Sequence, residues 1–432
     1  MNEQTKRVPK IRFPGFADDW EQRKLGEVFE YLQNNTLSRA ELNLEGGVAK
    51  NVHYGDVLIK YGEYLDASEE SLPFISSQQV ADKFQHSLLQ DGDVIMADTA
   101  EDETVGKCIE IAGLQDFPTI SGLHTIPLRP KRKFATGYLG FFMNSSYYHE
   151  QLKPLMQGIK VTSVSKSGIQ DTVISYPIDL AEQKCIAQVF INLDKVITLH
   201  QRKHDSIKQF KQGMLQKMFP KEGEKVPEIR FPGFTGVWEQ RKFSEIADCI
   251  DGNYGEKYPK DNEFIDEGVP FFTSAVTGAD GVFNKENVKY ISEEKNAILL
   301  KAQSKGGDLI LTNRGASMGI IAEIPQEYGL VNIGPQLTRI RGKEGVAFNR
   351  FLLSNLQTSK NNKKLTSMNA GSAMPFIGLS GLGSFELQLP SFEEQKKIGL
   401  YFESLDNLIT LHQRKLDQMK LYKQGLLQQM FV

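Results

Sequence analysis

The chain has 432 residues, a formal net charge of −3, 40% hydrophobic side chains and three cysteines, Cys108, Cys185 and Cys249, without paired spacing. That length allows two or three cored domains, and the cysteine pattern excludes a disulfide framework or a zinc ribbon. With no apolar run suited to a signal peptide or a membrane helix, a soluble protein of a reducing cytosol is expected.

In chain order the first feature is Val8–Val28, VPKIRFPGFADDWEQRKLGEV. It returns as VPEIRFPGFTGVWEQRKFSEI at Val226–Ile246, with 14 identities in 21 positions. Both tryptophans, Trp20 and Trp238, occupy equivalent places in this block. Pro14, Phe16 and Trp20, with Pro232, Phe234 and Trp238, are expected to be packing anchors. A second block, Glu182–Phe219, returns at Glu394–Phe431 with 23 identities in 38. The order is therefore A–x–B–A′–y–B′, with x and y strongly diverged. A duplicated chain of this kind implies a pseudo-twofold object that meets two similar targets or two copies of one partner.

The x and y segments alternate short apolar runs with turn residues and are expected to share one mixed α+β fold. Strand-like runs include GDVIMADT (92–99) and VGKCIEI (105–111), matched by GDLILTNR (307–314) and MGIIAEI (318–324). Fainter echoes link YGE at 61–63 to 254–256, and LPFISS at 72–77 to VPFFTS at 269–274. A helix is expected over 137–153 and over 349–361. Glycine-bearing loops follow at 157–169 and 370–382. The acidic run Asp98–Glu103 is not duplicated and reads as a solvated loop.

Each B block lacks proline and carries a 4-3 apolar spacing, which predicts a long helix of ~55 Å with a coiled-coil seam. The seam residues are Ile186, Phe190, Leu193, Ile197, His200, Ile207 and Met214 in the first helix. In the second they are Ile398, Phe402, Leu405, Ile409, His412, Leu416, Met419 and Leu426. His200 and His412 fall at the helix midpoints, so an in-register antiparallel pair would bring them together at the pseudo-twofold axis. The expected architecture is α+β: two similar globular domains, 1–181 and 220–393, joined by two long antiparallel coiled-coil helices, 182–219 and 394–432.

Net charge argues weakly against nucleic acid, but its distribution does not. Residues 1–181 carry 18 basic and 25 acidic groups, and 220–393 carry 20 and 22, yet each segment holds one basic block. Arg129–Lys166 has seven Lys/Arg against Glu150 alone, and Arg339–Lys364 has seven against Glu344 alone. Local fields of this kind attract phosphates. Phosphate contact is the expected role of Lys131, Arg132, Lys133, Lys160 and Lys166, with Lys360, Lys363 and Lys364 as counterparts. Asn313, Arg314 and Asn369 carry the forked or bidentate groups that base edges require. Gly158 and Gly371 permit close backbone approach in their loops.

No phosphate-binding G-x-x-x-x-G-K-[ST], no H-E-x-x-H and no G-x-S-x-G is present, and the chain has neither the glycine-rich cofactor loop nor the Asn/Asp-Pro-Pro motif of an adenine methyltransferase. No catalytic residue and no metal ligand are assigned. The A–x–B–A′–y–B′ order, the IRFPGF…W…KL/KF opening, the GDVI/GDLI strand and the proline-then-EQK start of each long helix resemble the specificity subunit of type I restriction–modification systems. The resemblance covers essentially the whole chain. It implies that x and y are target recognition domains, each reading one half of an asymmetric bipartite DNA sequence, while the helices set the spacing. It further implies docking of two modification (adenine methyltransferase) subunits, with restriction subunits joining. S-adenosylmethionine would sit on the modification subunit, ATP and magnesium on the restriction subunit, and no cofactor on this chain. The competing expectation is a coiled-coil scaffold that binds proteins and no DNA.

Overall fold

Two runs of four buried residues, Val94–Ala97 and Leu309–Thr312, lie at the centre of the two halves of the molecule and are covered on both faces. The computed structural model describes residues 8–115, 117–158, 160–278, 281–368 and 376–432. In it the chain forms two units, the first of residues 1–201 with 414–432 and the second of residues 202–413. Each long helix, Leu180–Lys217 and Phe392–Gln429, is continuous and contributes to both units.

In the first unit, a five-stranded sheet has the order Phe29–Tyr31, Thr125–Pro130, Val94–Ala97, Cys108–Ala112, Tyr64–Asp66. All its pairings are antiparallel except the last. Val94 and Met96 point into a core with Trp20, Tyr138, Phe142 and Phe190, while Ile95 and Ala97 point into a second cluster with Val57, Leu65 and Ile109. A strand buried on both faces reads as a continuous apolar run, which is why GDVI and GDLI stand out in the sequence. A second sheet runs Thr119–Ser121, Ala49–Val52, Phe74–Ile75, Leu42–Asn43.

The second unit repeats this plan. Ala247–Asp251, Leu337–Gly342, Leu309–Thr312 and Ile321–Glu323 form the matching antiparallel sheet. Its other sheet runs Phe264–Ile265, Lys289–Ile291, Val269–Phe272, Leu330–Ile333, Gln303–Lys305. Here the register corrects one sequence echo. Val269–Phe272 pairs in parallel with Leu330–Ile333, as Ala49–Val52 pairs with Thr119–Ser121. VPFF therefore corresponds to residues 49–52 and not to LPFI at 72–75, whose strand Phe74–Ile75 takes the antiparallel place of Lys289–Ile291. The YGE echo fails for the same reason. Asn35 and Asn253 donate backbone N–H bonds to Ser121 and Ile333, so Tyr254 aligns with Thr36 and not with Tyr61.

The expected helices at 137–153 and 349–361 are each interrupted. Ser145 accepts from Tyr148 N–H and starts a second helix, Ser146–Leu152, after Tyr138–Met143. Thr358 does the same for Ser359–Ser367 after Asn349–Gln357. A mid-segment Ser or Thr that caps a new helix competes with helix continuation.

The two repeated blocks are explained by one clamp made twice. In the first unit Arg12 forms a bidentate pair with Glu182, at 2.6 and 2.8 Å, while Ile11 N–H donates to the Gln429 carbonyl at 3.0 Å. Block A thus grips the start of one long helix and caps the last turn of the other. In the second unit Arg230 pairs with Glu394 at 2.7 and 2.7 Å, and Ile229 N–H donates to Lys217 O at 2.9 Å. The neighbouring glutamines join in: Gln183 bridges Ala135 and Pro177, and Gln395 bridges Phe348 and Pro390. Trp20 meets Phe431 edge-on and Trp238 meets Phe219 likewise. Both tryptophans are buried, Phe16 and Phe234 are half-buried, and Pro14 and Pro232 are exposed, so the proline turn is no packing anchor.

Within each unit the helix segments run antiparallel. Phe190 stacks on Phe431 and Asp194 accepts from Lys423 in the first; Phe219 packs on Phe402 and Lys211 donates to Asp406 in the second. Every seam residue named above is buried or half-buried. His200 and His412 are half-buried and stand one residue before the unit boundaries.

Candidate nucleic-acid interface

Arg129 forms a bidentate pair with the buried Asp93, at 3.0 and 2.7 Å, and Arg341 pairs in the same way with Asp308. These aspartates are the D of GDVI and GDLI; Asp93 also accepts from Gln90 N–H, and Asp308 from Lys305 N–H. Burial pushes the Asp93 carboxyl up against the pull of Arg129. Arg350 is shared between Glu323 and Glu403. These three arginines of the basic blocks are therefore committed to partners within the fold, where a burial penalty has to be offset.

The sequence candidates separate into groups. Lys131 donates to the Gly26 carbonyl, and Arg132 pairs with Glu21 and stacks 5.0 Å over the Tyr176 ring. Lys133 beside them is exposed. Lys166 donates to the Leu32 carbonyl and lies over Tyr31. Lys160 is exposed at the tip of a hairpin closed by Gln157 and Ser163. Gly158 in that hairpin has φ +118°, and a Cβ there would lie 1.9 Å from the Val161 carbonyl, so the glycine is required by the loop itself. Lys360, Lys363 and Lys364 line an open cavity of about 900 Å³ together with Lys221 and Lys225. Lys360 donates to the Pro220 and Lys221 carbonyls, and burial lowers its ammonium pKa. Asn369 and Gly371 lie outside the described residues.

Asn313 and Arg314 occupy a different place, at the end of the central strand. Asn313 is buried and donates to the Thr338 hydroxyl at 3.0 Å; the Arg314 guanidinium sits 4.7 Å over the Phe376 ring with its Nε on Asn313 Oδ1. The registers Ala97↔Thr125 and Thr312↔Leu337 place Asp98 and Thr99 opposite Asn313 and Arg314 in the repeat. Asp98 N–H donates to His124 O at 3.1 Å, and Asn313 N–H to Gln336 O at 2.9 Å. Gly122 N–H and Gly334 N–H reach Val52 O and Phe272 O, both at 2.8 Å. One backbone platform is thus built twice, from the ends of three strands.

The side chains on it differ. In the first unit the His53 and Tyr54 rings are 4.7 Å apart, Tyr54 meets His124 edge-on at 5.2 Å, and Thr99 donates to Asp98 at 2.7 Å. In the second, Ser274 donates to the Gln336 side chain beside Arg314. Asp98 is half-buried and Thr99–Ala100 pairs with Thr162–Ser163, so the start of the acidic run is built into the platform and is not a solvated loop. The hairpin carrying Lys160 is therefore attached to the platform edge. Lys131–Lys133, by contrast, lie beyond the far end of the strand that follows His124, ~20 Å away. Sequence reasoning missed His53, Tyr54, Asp98, Thr99 and His124; the offset of 215 between Gly92 and Gly307 already set Asp98 and Thr99 opposite Asn313 and Arg314.

Among the described residues no group of three or more His, Cys, Asp or Glu could hold a metal ion, and no helix is long and apolar enough to cross a membrane. Comparison with known proteins fits the duplicated platform. The chain is 24% identical over 437 residues to the type I restriction enzyme MjaVIII specificity subunit of Methanocaldococcus jannaschii, covering 98% of this chain and 94% of that protein. The solved type-I restriction-modification system S subunit from M. genitalium has the same fold, with a TM-score of 0.61 at 15% identity over 98% of this chain and 99% of that one. A chain from a solved type I R-M system matches with a TM-score of 0.50 at 19% identity over 97% and 98%. The family model described as the type I restriction modification DNA specificity domain matches twice, at residues 17–209 and 236–421. These two matches take in both platforms and most of both long helices, and the chain belongs to the type I restriction modification DNA specificity family.

Proposed function

We propose that this chain is the non-catalytic reader of an asymmetric, bipartite double-stranded DNA target, one half-site per unit, and that it directs adenine methylation by two modification subunits. The observation that carries this reading is the platform made twice on one backbone with different side chains. Two short readers joined in one chain discriminate far better than either alone, because the second contact becomes intramolecular. The long helices supply the spacing. Restriction subunits join the same core; S-adenosylmethionine belongs to the modification subunit, and ATP and magnesium to the restriction subunit. A cytoplasmic location goes with this role.

Partner docking has its own support. Exposed apolar side chains recur on the helices at one offset: Val196 and Leu408, Leu199 and Leu411, Phe210 and Tyr422. Surface apolar positions that repeat in this way suit two copies of one partner. The test is co-expression with the modification subunit in a host lacking adenine methylation, followed by single-molecule mapping of modified adenines. A single interrupted asymmetric motif is expected. A soluble, methyl-donor-loaded complex that modifies no site would overturn the reading in favour of a protein-binding scaffold.

A further inference from the structure

The two platforms allow the base-reading residues to be assigned, an assignment that rests on the DNA-reading function proposed above. Where backbone hydrogen bonds and strand registers are the same in both units, a difference in target must come from the side chains the shared backbone presents. Three positions satisfy this. The residue after the central strand's first loop residue is Thr99 in one unit and Arg314 in the other; the residue before the partner strand is His124 or Gln336; the second residue after the parallel strand is Tyr54 or Ser274. His124 and Gln336 are exposed, and Tyr54, Thr99, Ser274 and Arg314 are half-buried, so all six reach the surface.

Their local chemistry points the same way. His124 has φ +54° and is the one non-glycine residue with positive φ among the described residues. Such a conformation persists only where its surroundings over-determine it, and it is frequent at ligand-contacting sites. It holds the imidazole edge-on to Tyr54, while beneath them His53 is buried with no partner on Nε2 among the described residues. Arg314 is stacked on Phe376 with its Nε donating to Asn313 Oδ1, and no carboxylate pairs with it among the described residues, so its terminal nitrogens are oriented and left for a ligand. Gln336 is held by Ser274. A forked guanidinium matches guanine O6 and N7, and a carboxamide matches adenine N6 and N7.

We propose that Tyr54, Thr99 and His124 read the bases of one half-site, and that Ser274, Arg314 and Gln336 read those of the other, with Arg314 on a guanine and Gln336 on an adenine. Lys160, on the hairpin attached beside Thr99, would contact a nearby phosphate.

The experiment maps modified adenines for the co-expressed complex carrying His124→Asn, Arg314→Lys or Gln336→Ala. Asparagine tolerates positive φ, and lysine keeps the charge while losing the fork, so neither change needs to disturb folding. Solubility and thermal unfolding of each complex are compared with the parent. The expected result is about 10-fold or greater loss of preference at one or two positions of a single half-site. His124→Asn would act on one half-site, Arg314→Lys and Gln336→Ala on the other, with the spacer unchanged. An unchanged motif for all three variants would overturn the assignment while leaving the DNA-reading function in place. Equal loss at both half-sites would also overturn it, since that marks assembly or phosphate contact. A parent complex that yields no interrupted motif would sink the assignment and the function together.

Discussion

Arg12 and Arg230 each neutralise a buried glutamate. The side chains of Glu182 and Glu394 are 2% and 0% exposed. Removing one partner of a buried pair leaves the other charge uncompensated. Arg12→Ala and Arg230→Ala are expected to lower the stability of their own units by about 3 kcal/mol, read as lost hydrogen-exchange protection at the start of the matching long helix. Glu110 makes a second prediction. It is fully buried, accepts from Gly137 and Gly140 N–H at 2.6 and 3.0 Å, and desolvation still raises its carboxyl from 4.5 to about 7. Its unit-two counterpart Glu323 faces Arg350 instead. Because the folded form holds the proton more tightly, this stability is fully present below pH 4.5 and is lost as pH rises through 7. The change is roughly 3 kcal/mol. Protection of the Tyr138–Met143 amides should fall across that window, and Glu110→Gln should flatten the profile; a parent profile that is already flat would refute the assignment.

Among the elements, the long helices owe their orientation to the polar interruptions in their seams. Lys211 and Lys423 occupy seam spacing, and the fold answers each with an aspartate from the neighbouring helix segment, Asp406 and Asp194. In the first unit Glu63 adds a second acceptor, and burial raises the Asp194 carboxyl although Lys423 opposes it. Polar seam residues of this kind specify register and direction, since a slipped pairing strands a charge. Lys423→Ala should therefore cost about 3 kcal/mol, and Lys211→Ala less, because Asp406 is 43% exposed against 30% for Asp194. Urea unfolding followed at each unit's tryptophan would show the order, and an inverted order would contradict it. Adding one or two helical turns to a long helix should change the number of unread base pairs and leave both half-sites as they were. A spacer that stays fixed in the modification map would refute the helices as rulers. The helices and the central strands were legible because each carries a strong period or a doubly buried apolar run. The breaks at Ser145 and Thr358 were not, since a capping hydroxyl and a mid-helix hydroxyl look alike in sequence.

For the whole molecule, charge sets the limit on autonomy. Residues 1–181 carry 18 basic and 25 acidic groups, and Arg12, Arg39 and Arg129 face buried carboxylates. The isolated chain should bind its duplex target weakly at physiological salt, and the modification subunits should supply most phosphate contacts. Fluorescence anisotropy with a labelled duplex would show at least 100-fold tighter binding once they are added. Tight, specific binding by the chain alone would contradict this.

The sequence by itself determined the duplication, the long helices and the family, because these rest on identities and periods that survive across the chain. It also placed Asn313 and Arg314 near the end of a central strand. Only the tertiary structure decided that Asp98, Thr99 and His124 stand at the matching points and that Arg129, Arg341 and Arg350 of the basic blocks face carboxylates of the fold. Block A clamps two different helices for the same kind of reason. These facts depend on hydrogen-bond register and on which charges find partners far along the chain. Arg12 and Glu182 are 170 residues apart, and no local pattern links them.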